Sequence, residues 1–219
     1  MKIKTKENLL DKIDEEISWR KKELVWIRST SQLIGIEKEY ALRAGIPIAY
    51  AHFEGAIKNI ASFYIIFVSE KKLKYCELSD NFIALGLRAE FQKVNGTKKV
   101  SKHTMFVRDF SLLPTKESNI PTKNVIDTES NLNKKVFEEI CITVGMDTSK
   151  YESKFNLLDE IILNLRNQIA HGERLKALSL DTARFLEICD TVMWFIDNFA
   201  DDIFNMACDE SYKKMATRM

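Results

Sequence analysis

Seven glycines and three prolines are all that 219 residues contain. A chain so poor in turn-forming residues favours long helices over many short strands, because each hairpin or sharp connection draws on glycine or proline. The spacing of apolar residues agrees. Leu9, Ile13, Ile17, Leu24 and Ile27 form one helical stripe over residues 6–32, with charged residues on the other side. Glu15, Glu16, Arg20, Lys21 and Lys22 are spaced for ion pairs along that helix. Trp19 and Trp26, seven apart, share a face suited to packing on a neighbouring helix or a second copy. Gly45-Ile46-Pro47 predicts a helix start, since proline suits a first turn, and that helix runs to about Lys72. Tyr50, Glu54 and Lys58 line one side of it by fours. Ala51, Gly55 and Ser62 are small enough to let another helix approach, and His52 reads as a partly buried structural histidine. The apolar run Ile60–Val68 is about half a membrane span and reads as core.

A short helix is expected over Asp80–Phe91. Residues 93–128 look least regular, with Asn95-Gly96, Pro114 and Pro121 as punctuation. Between 93 and 124, Lys93, Lys98, Lys99, Lys102, Arg108, Lys116 and Lys123 face only Asp109 and Glu117. His103, Phe106 and Phe110 are interleaved. Net charge is +1 overall, so this basic patch is local. It reads either as a solvated loop or as an insert that grips an RNA backbone and stacks a base, with Lys98, Lys99, Lys102 and Arg108 as the contacts. Ser130 or Asn131 is expected to cap a helix over Leu132–Val144, stopped by Gly145. Ser179 is expected to cap a last helix running to about Asp209, apolar over an arc wide enough for several helices or a dimer interface.

One further helix carries the chemistry. From about Tyr151, Leu158, Ile161, Ile162, Leu165 and Ile169 form its stripe, and Gly172 is its stop. Near its end stand Arg166, Asn167 and His171. Residues five apart on a regular helix diverge by about 140°, so Arg166 and His171 do not share a face, whereas Asn167 and His171 do. Either the helix unwinds before His171, or a second copy of the chain completes the site. The bland alternative has Arg166 paired to a neighbouring carboxylate and His171 capping helix carbonyls.

Arg-Asn-x-x-x-His resembles the Arg-x(4–6)-His motif of the HEPN superfamily, in which a polar residue often follows the arginine. The run Ser130-Asn131-Leu132-Asn133 through Val144-Gly145-Met146-Asp147 also looks like stand-alone prokaryotic HEPN proteins. The resemblance spans about residues 45–200 and is strongest at 130–175. It implies an all-α, HEPN-like antiparallel helical bundle over 1–219, with an N-terminal helical extension (1–44) and an irregular basic insert (93–128). It implies a metal-independent endoribonuclease with no cofactor, acting as a homodimer on RNA, of the toxin or antiphage-defence kind, with an antitoxin or defence partner. Arg166, His171 and Asn167 are then catalytic. Tyr50 and Glu54 lie on the partner helix as supports, Glu54 holding Arg166 or His171 by a charge-assisted hydrogen bond.

Cleavage without metal needs a base for the 2′-hydroxyl proton, positive charge on the phosphorane and an acid for the departing 5′-oxygen. Histidine transfers protons near neutral pH, and arginine offers two parallel donors to phosphate oxygens. One such pair lacks a second proton shuttle, which a twofold partner would supply. The alternative is a non-catalytic HEPN module binding RNA, a nucleotide or a partner protein. Other classes lack their signatures: there is no phosphate-binding glycine loop, nucleophile elbow or zinc spacing. Cys76, Cys141, Cys189 and Cys208 have no Cys-x-x-Cys partner and read as buried thiols of a cytoplasmic chain. No apolar run follows the basic start Met1–Lys6, and no membrane contact is expected.

Overall fold

The computed structural model describes residues 2–158, 164–173 and 180–214. Among them there is no β-strand, only the isolated bridges Lys74–Glu117 and Leu78–Lys213. Three long helices form the heart: α1 (Lys6–Ser29), α2 (Gly35–Ser69) and α9 (Thr182–Cys208), each packed on the other two. Thr5 starts α1 by accepting the Asn8 N–H at 3.2 Å, the side-chain cap that satisfies one orphan donor. Its Leu9, Ile13, Leu24 and Ile27 lie in the common core. The N-terminal helix is therefore an integral layer of the fold and not the extension expected over 1–44.

The helix expected to start at Gly45 instead begins at Gly35 and runs through Pro47 for 35 residues. Leu42, Ile46, Ala49 and Phe53 are buried along it, and that stripe outweighs the single backbone hydrogen bond proline removes. Gly45 serves packing: a Cβ there would lie 2.7 Å from the Phe185 ring and 2.9 Å from Ile27 Cγ2. The wide apolar arc of α9 is consumed inside the chain, where Phe185, Val192, Phe195, Phe199 and Ile203 are buried. It is not free for a dimer. Asp181 caps α9, accepting the Arg184 N–H at 2.8 Å, and Ser179 lies outside the described residues.

The segment expected to be one short helix is two, α3 (Asp80–Gly86) and α4 (Arg88–Val94), broken at Leu87. The insert is also more regular than expected, for it contains the twelve-residue helix α5 (Val100–Ser111). Val100, His103, Phe106, Val107 and Phe110 do keep helical spacing there, masked by the surrounding charge. Helices α4 and α5 pack on each other and bury no residue, so together they form a limb on the body. Helix α6 (Lys134–Val144) is capped by Asn133, which accepts the Val136 N–H at 3.0 Å, two to three residues later than expected. Leu132, expected inside that helix, is a buried residue ahead of it. Phe137 of α6 forms an aromatic hub with Tyr151, Phe155 and Phe195 at centroid distances of 5.1, 5.1 and 5.8 Å.

Of the segment expected to form the motif helix, the described residues hold α7 (Glu152–Leu157) and α8 (Asn164–Ala170). Leu158 and Leu165 are buried as expected and Ile169 packs against the core. Ile161 and Ile162 lie outside the described residues. Cys141 and Cys189 are buried, but Cys76 and Cys208 are exposed, and all four are free. Among the described residues no helix is long and apolar enough to cross a membrane.

Candidate functional site: the end of α8 against α2

Helix α8 packs on α2. Its end is a reciprocal backbone lock: Gly172 N–H donates to the Ile169 carbonyl (3.1 Å) and Glu173 N–H to that of Gln168 (3.1 Å). This is the double closure that a left-handed residue after a helix permits, and Gly172, at φ +78°, is that residue. Arg43 of α2 donates to the Glu173 carbonyl and ties the turn down. His171 still donates its N–H to the Asn167 carbonyl at 2.9 Å. The helix therefore does not unwind before His171, and Arg166 and His171 remain about 140° apart around its axis. The His171 side chain is exposed, and no described side chain hydrogen-bonds to it.

Arg166 lies on the α2 side. Its Cζ stands 5.0 Å over the Tyr50 ring, a cation–π contact that fixes the guanidinium plane. Nη1 donates to Asn167 Oδ1 at 3.0 Å, so the Asn167 side chain orients Arg166 and not His171. Nη2 faces the Ser130 carbonyl at a long 3.5 Å. Arg166 as a whole is half-exposed, and a guanidinium open to solvent offers its fork of donors to a phosphate.

Tyr50 is buried. Its Oη accepts the Leu132 N–H at 2.5 Å. Burial, and then the nearby charge of Glu54, push its phenol pKa well above the ordinary value, so it stays neutral and serves as platform and acceptor. Glu54 does not make the expected pair with Arg166 or His171. It accepts from Thr128 Oγ1 at 2.5 Å, which anchors the segment carrying Ser130. Glu129 and Ser130 are both left-handed, at φ +52° and +55°, a conformation that strains residues bearing a Cβ and persists only where neighbours enforce it. Thr128–Glu54 and Leu132–Tyr50 are those restraints, one on each side.

Sequence reasoning missed Thr128, the Ser130 carbonyl and Arg43. The run Ser130–Asn133 marked the segment without its role, and nothing in the sequence singles out Arg43. Lys98, Lys99, Lys102 and Arg108 are all exposed on the limb and have no contact with Arg166 or His171. On the other face of the 125–129 segment, a groove of about 830 Å³ opens between α4 and α6, with Arg88, Asp127, Glu129 and Glu139 on its walls. Among the described residues no cluster of three or more His, Cys, Asp or Glu could hold a metal ion.

No curated protein and no solved structure matches the chain. The sequence model of the RiboL-PSP-HEPN family does match, over residues 15–205, from the middle of α1 almost to the end of α9. The aligned span contains the Arg166–His171 helix end, its α2 platform and the core that holds them, and by it the chain belongs to the RiboL-PSP-HEPN family.

Proposed function

We propose that this chain is a metal-independent endoribonuclease whose centre is built from the α8 ends of two copies. The observation that carries the reading is an Arg–His pair on one unbroken helix end, the arginine preset on an aromatic platform and the histidine left open to solvent. Arg166 binds the scissile phosphate and takes up the charge of the phosphorane. An imidazole of His171 removes the 2′-hydroxyl proton as that oxygen attacks phosphorus. A second His171, from the partner, protonates the departing 5′-oxygen. The P–O5′ bond breaks as the P–O2′ bond forms, leaving a 2′,3′-cyclic phosphate and a 5′-hydroxyl. Asn167, Tyr50 and Glu54 are positioning residues: Asn167 and Tyr50 hold the guanidinium, and Glu54 holds the segment beside it. A toxin or defence role, with a cognate antitoxin or defence partner, is the biological setting this reading proposes.

An exposed ridge on α2 supports the second copy. Ile36, Tyr40, Ala44 and Ile48 follow at spacings of four and are all exposed, Tyr40 at 59%. Ala51 extends the ridge, and Trp26, 67% exposed, stands on α1. These residues form one apolar strip, of the kind a symmetric interface of ~800 Å² per partner would cover. Two copies seated antiparallel would set Tyr40 of one over Ala51 of its partner, whose small side chain leaves room for the ring. The twofold axis then passes level with residues 45–46. Arg43, which holds the turn after His171, is about 4 Å from that level along the helix.

The test is incubation of the full chain with mixed RNA in EDTA, beside Arg166→Ala and His171→Ala. The wild type should cut and leave cyclic phosphate ends, and each variant should lose roughly 10²-fold or more in rate. Cleavage that survives in both variants, or that requires added metal, would defeat the mechanism. Intact RNA throughout would favour a non-catalytic module that binds RNA, a nucleotide or a protein partner.

A further inference from the structure

The α4–α5 limb takes no part in the centre above, yet its aromatic side chains pack on one another. Lys102, Phe106 and Phe110 succeed one another at spacings of four, so they lie one above another on α5. The Phe106 and Phe110 rings are stacked, with centroids 6.0 Å apart and planes at 27°. Phe91 reaches across from α4 to within 5.5 Å of Phe106. The result is a ladder of three rings at the surface, its outer members Phe91 and Phe110 exposed at 44% and 51%.

Cations gather at one end of the ladder. Lys98 and Lys99 occupy the turn between the two helices and Lys102 continues the line of the rings, whereas Arg108 lies on the far side of α5. None of the four has an acidic partner among the described residues. Glu90, the acid nearest the turn on α4, is already paired to Lys93 at 2.6 Å. Flat apolar rings left in water and a cluster of uncompensated like charges are each unfavourable. A ligand that is both a polyanion and a stack of flat faces relieves both. Unpaired nucleic acid has that chemistry, whereas a duplex hides its base faces. An apolar protein helix would cover the rings and leave the lysines unanswered.

We propose that the α4–α5 limb is a stacking platform for an unpaired RNA segment, with bases on the Phe91–Phe106–Phe110 ladder and phosphates on Lys98, Lys99 and Lys102. The inference rests on the ribonuclease reading only for the choice of RNA over DNA. It defines the substrate class as RNA with a single-stranded stretch outside the bond to be cut.

The probe is a 2′-O-methyl RNA of about twelve nucleotides, within the length one stacking groove tracks, carrying 2-aminopurine and lacking the attacking hydroxyl. Binding should quench its fluorescence, and a duplex of equal length should bind at least tenfold more weakly. Phe106→Ala with Phe110→Ala should cost about tenfold per ring, the order seen when one stacked base is lost, and leave the salt dependence alone. Phe110→Trp should hold or improve affinity. Reversal of Lys98, Lys99 and Lys102 to Glu should weaken binding and flatten its salt dependence, by about 0.7 in logarithmic slope for each lost contact with a single strand. Equal binding of duplex and single strand, or wild-type binding by the ring variant, overturns the inference. So does a change in oligomeric state with unchanged RNA affinity, which would assign the limb to a protein partner. The two readings fail separately: limb variants that bind and cut like the wild type remove the platform alone, and quenched probe with no cleavage of ordinary RNA removes the nuclease alone.

Discussion

The imidazole of His52 is 4% exposed between α1 and α2. Its Nδ1 lies 3.5 Å from Arg20 Nη1, and its Nε2 is 3.0 Å from Glu23 Oε2, in contact but off the line of a hydrogen bond. Arg20 is itself buried, donating to Glu16 Oε1 at 2.6 and 2.8 Å, where Asn59 also donates at 2.7 Å. Burial, and next the charge of Arg20, lower the His52 pKa against an opposing pull from Glu23. The sign follows by linkage. Below about pH 6.5 the unfolded chain binds a proton at this position that the folded chain refuses. The stability His52 contributes is thus complete above that pH and is lost as pH falls through it. Thermal midpoints measured between about pH 7.5 and 5.5 should fall more steeply for the wild type than for His52→Gln; parallel slopes would show that the imidazole does not titrate in this way.

At the scale of the element, α2 shows why local signals mislead. Glycine and proline two positions apart look like punctuation, yet Gly45 is the contact point of three helices and Pro47 rides within a continuous helix. Gly45→Ala should gain up to about 1 kcal/mol of helix propensity. It should lose more, because its Cβ would enter the buried Phe185 ring, and overpacking costs about 1–3 kcal/mol. A lower urea midpoint is the expected result, and a higher one would mean that the Phe185 ring yields freely. Periodicity did reveal α1, α6, α7, α8 and α9, because their stripes face one core. It hid α5, whose stripe faces no core at all. At the centre, Arg166, Asn167 and His171 were legible as a spacing and Tyr50 and Glu54 as a helix face. Which donor Glu54 holds was not legible, because Thr128 arrives 74 residues later in the chain through a strained turn with no sequence signature.

At the scale of the whole molecule, the proposed twofold makes a demand that a single chain cannot meet. Co-refolding Arg166→Ala with His171→Ala chains yields mixed dimers with one intact arginine and one intact histidine on opposite subunits. A composite centre should recover cleavage in that mixture well above the residual rate of either variant alone. No recovery, or a fully active monomer by light scattering, would return the chemistry to one subunit. The dimer ridge and the arginine platform lie on the same helix. Tyr40, Ile48, Tyr50 and Glu54 are carried by one rod about 52 Å long, with no loop between the surface that would meet a partner and the groups that aim Arg166. In a machinist's terms they share a datum. Error in seating one subunit on the other would pass to the centre undiluted, and slippage by a single turn, about 5.4 Å, would carry each arginine out of reach of the opposing histidine. An assembly built to that tolerance is on or off, with little activity in between.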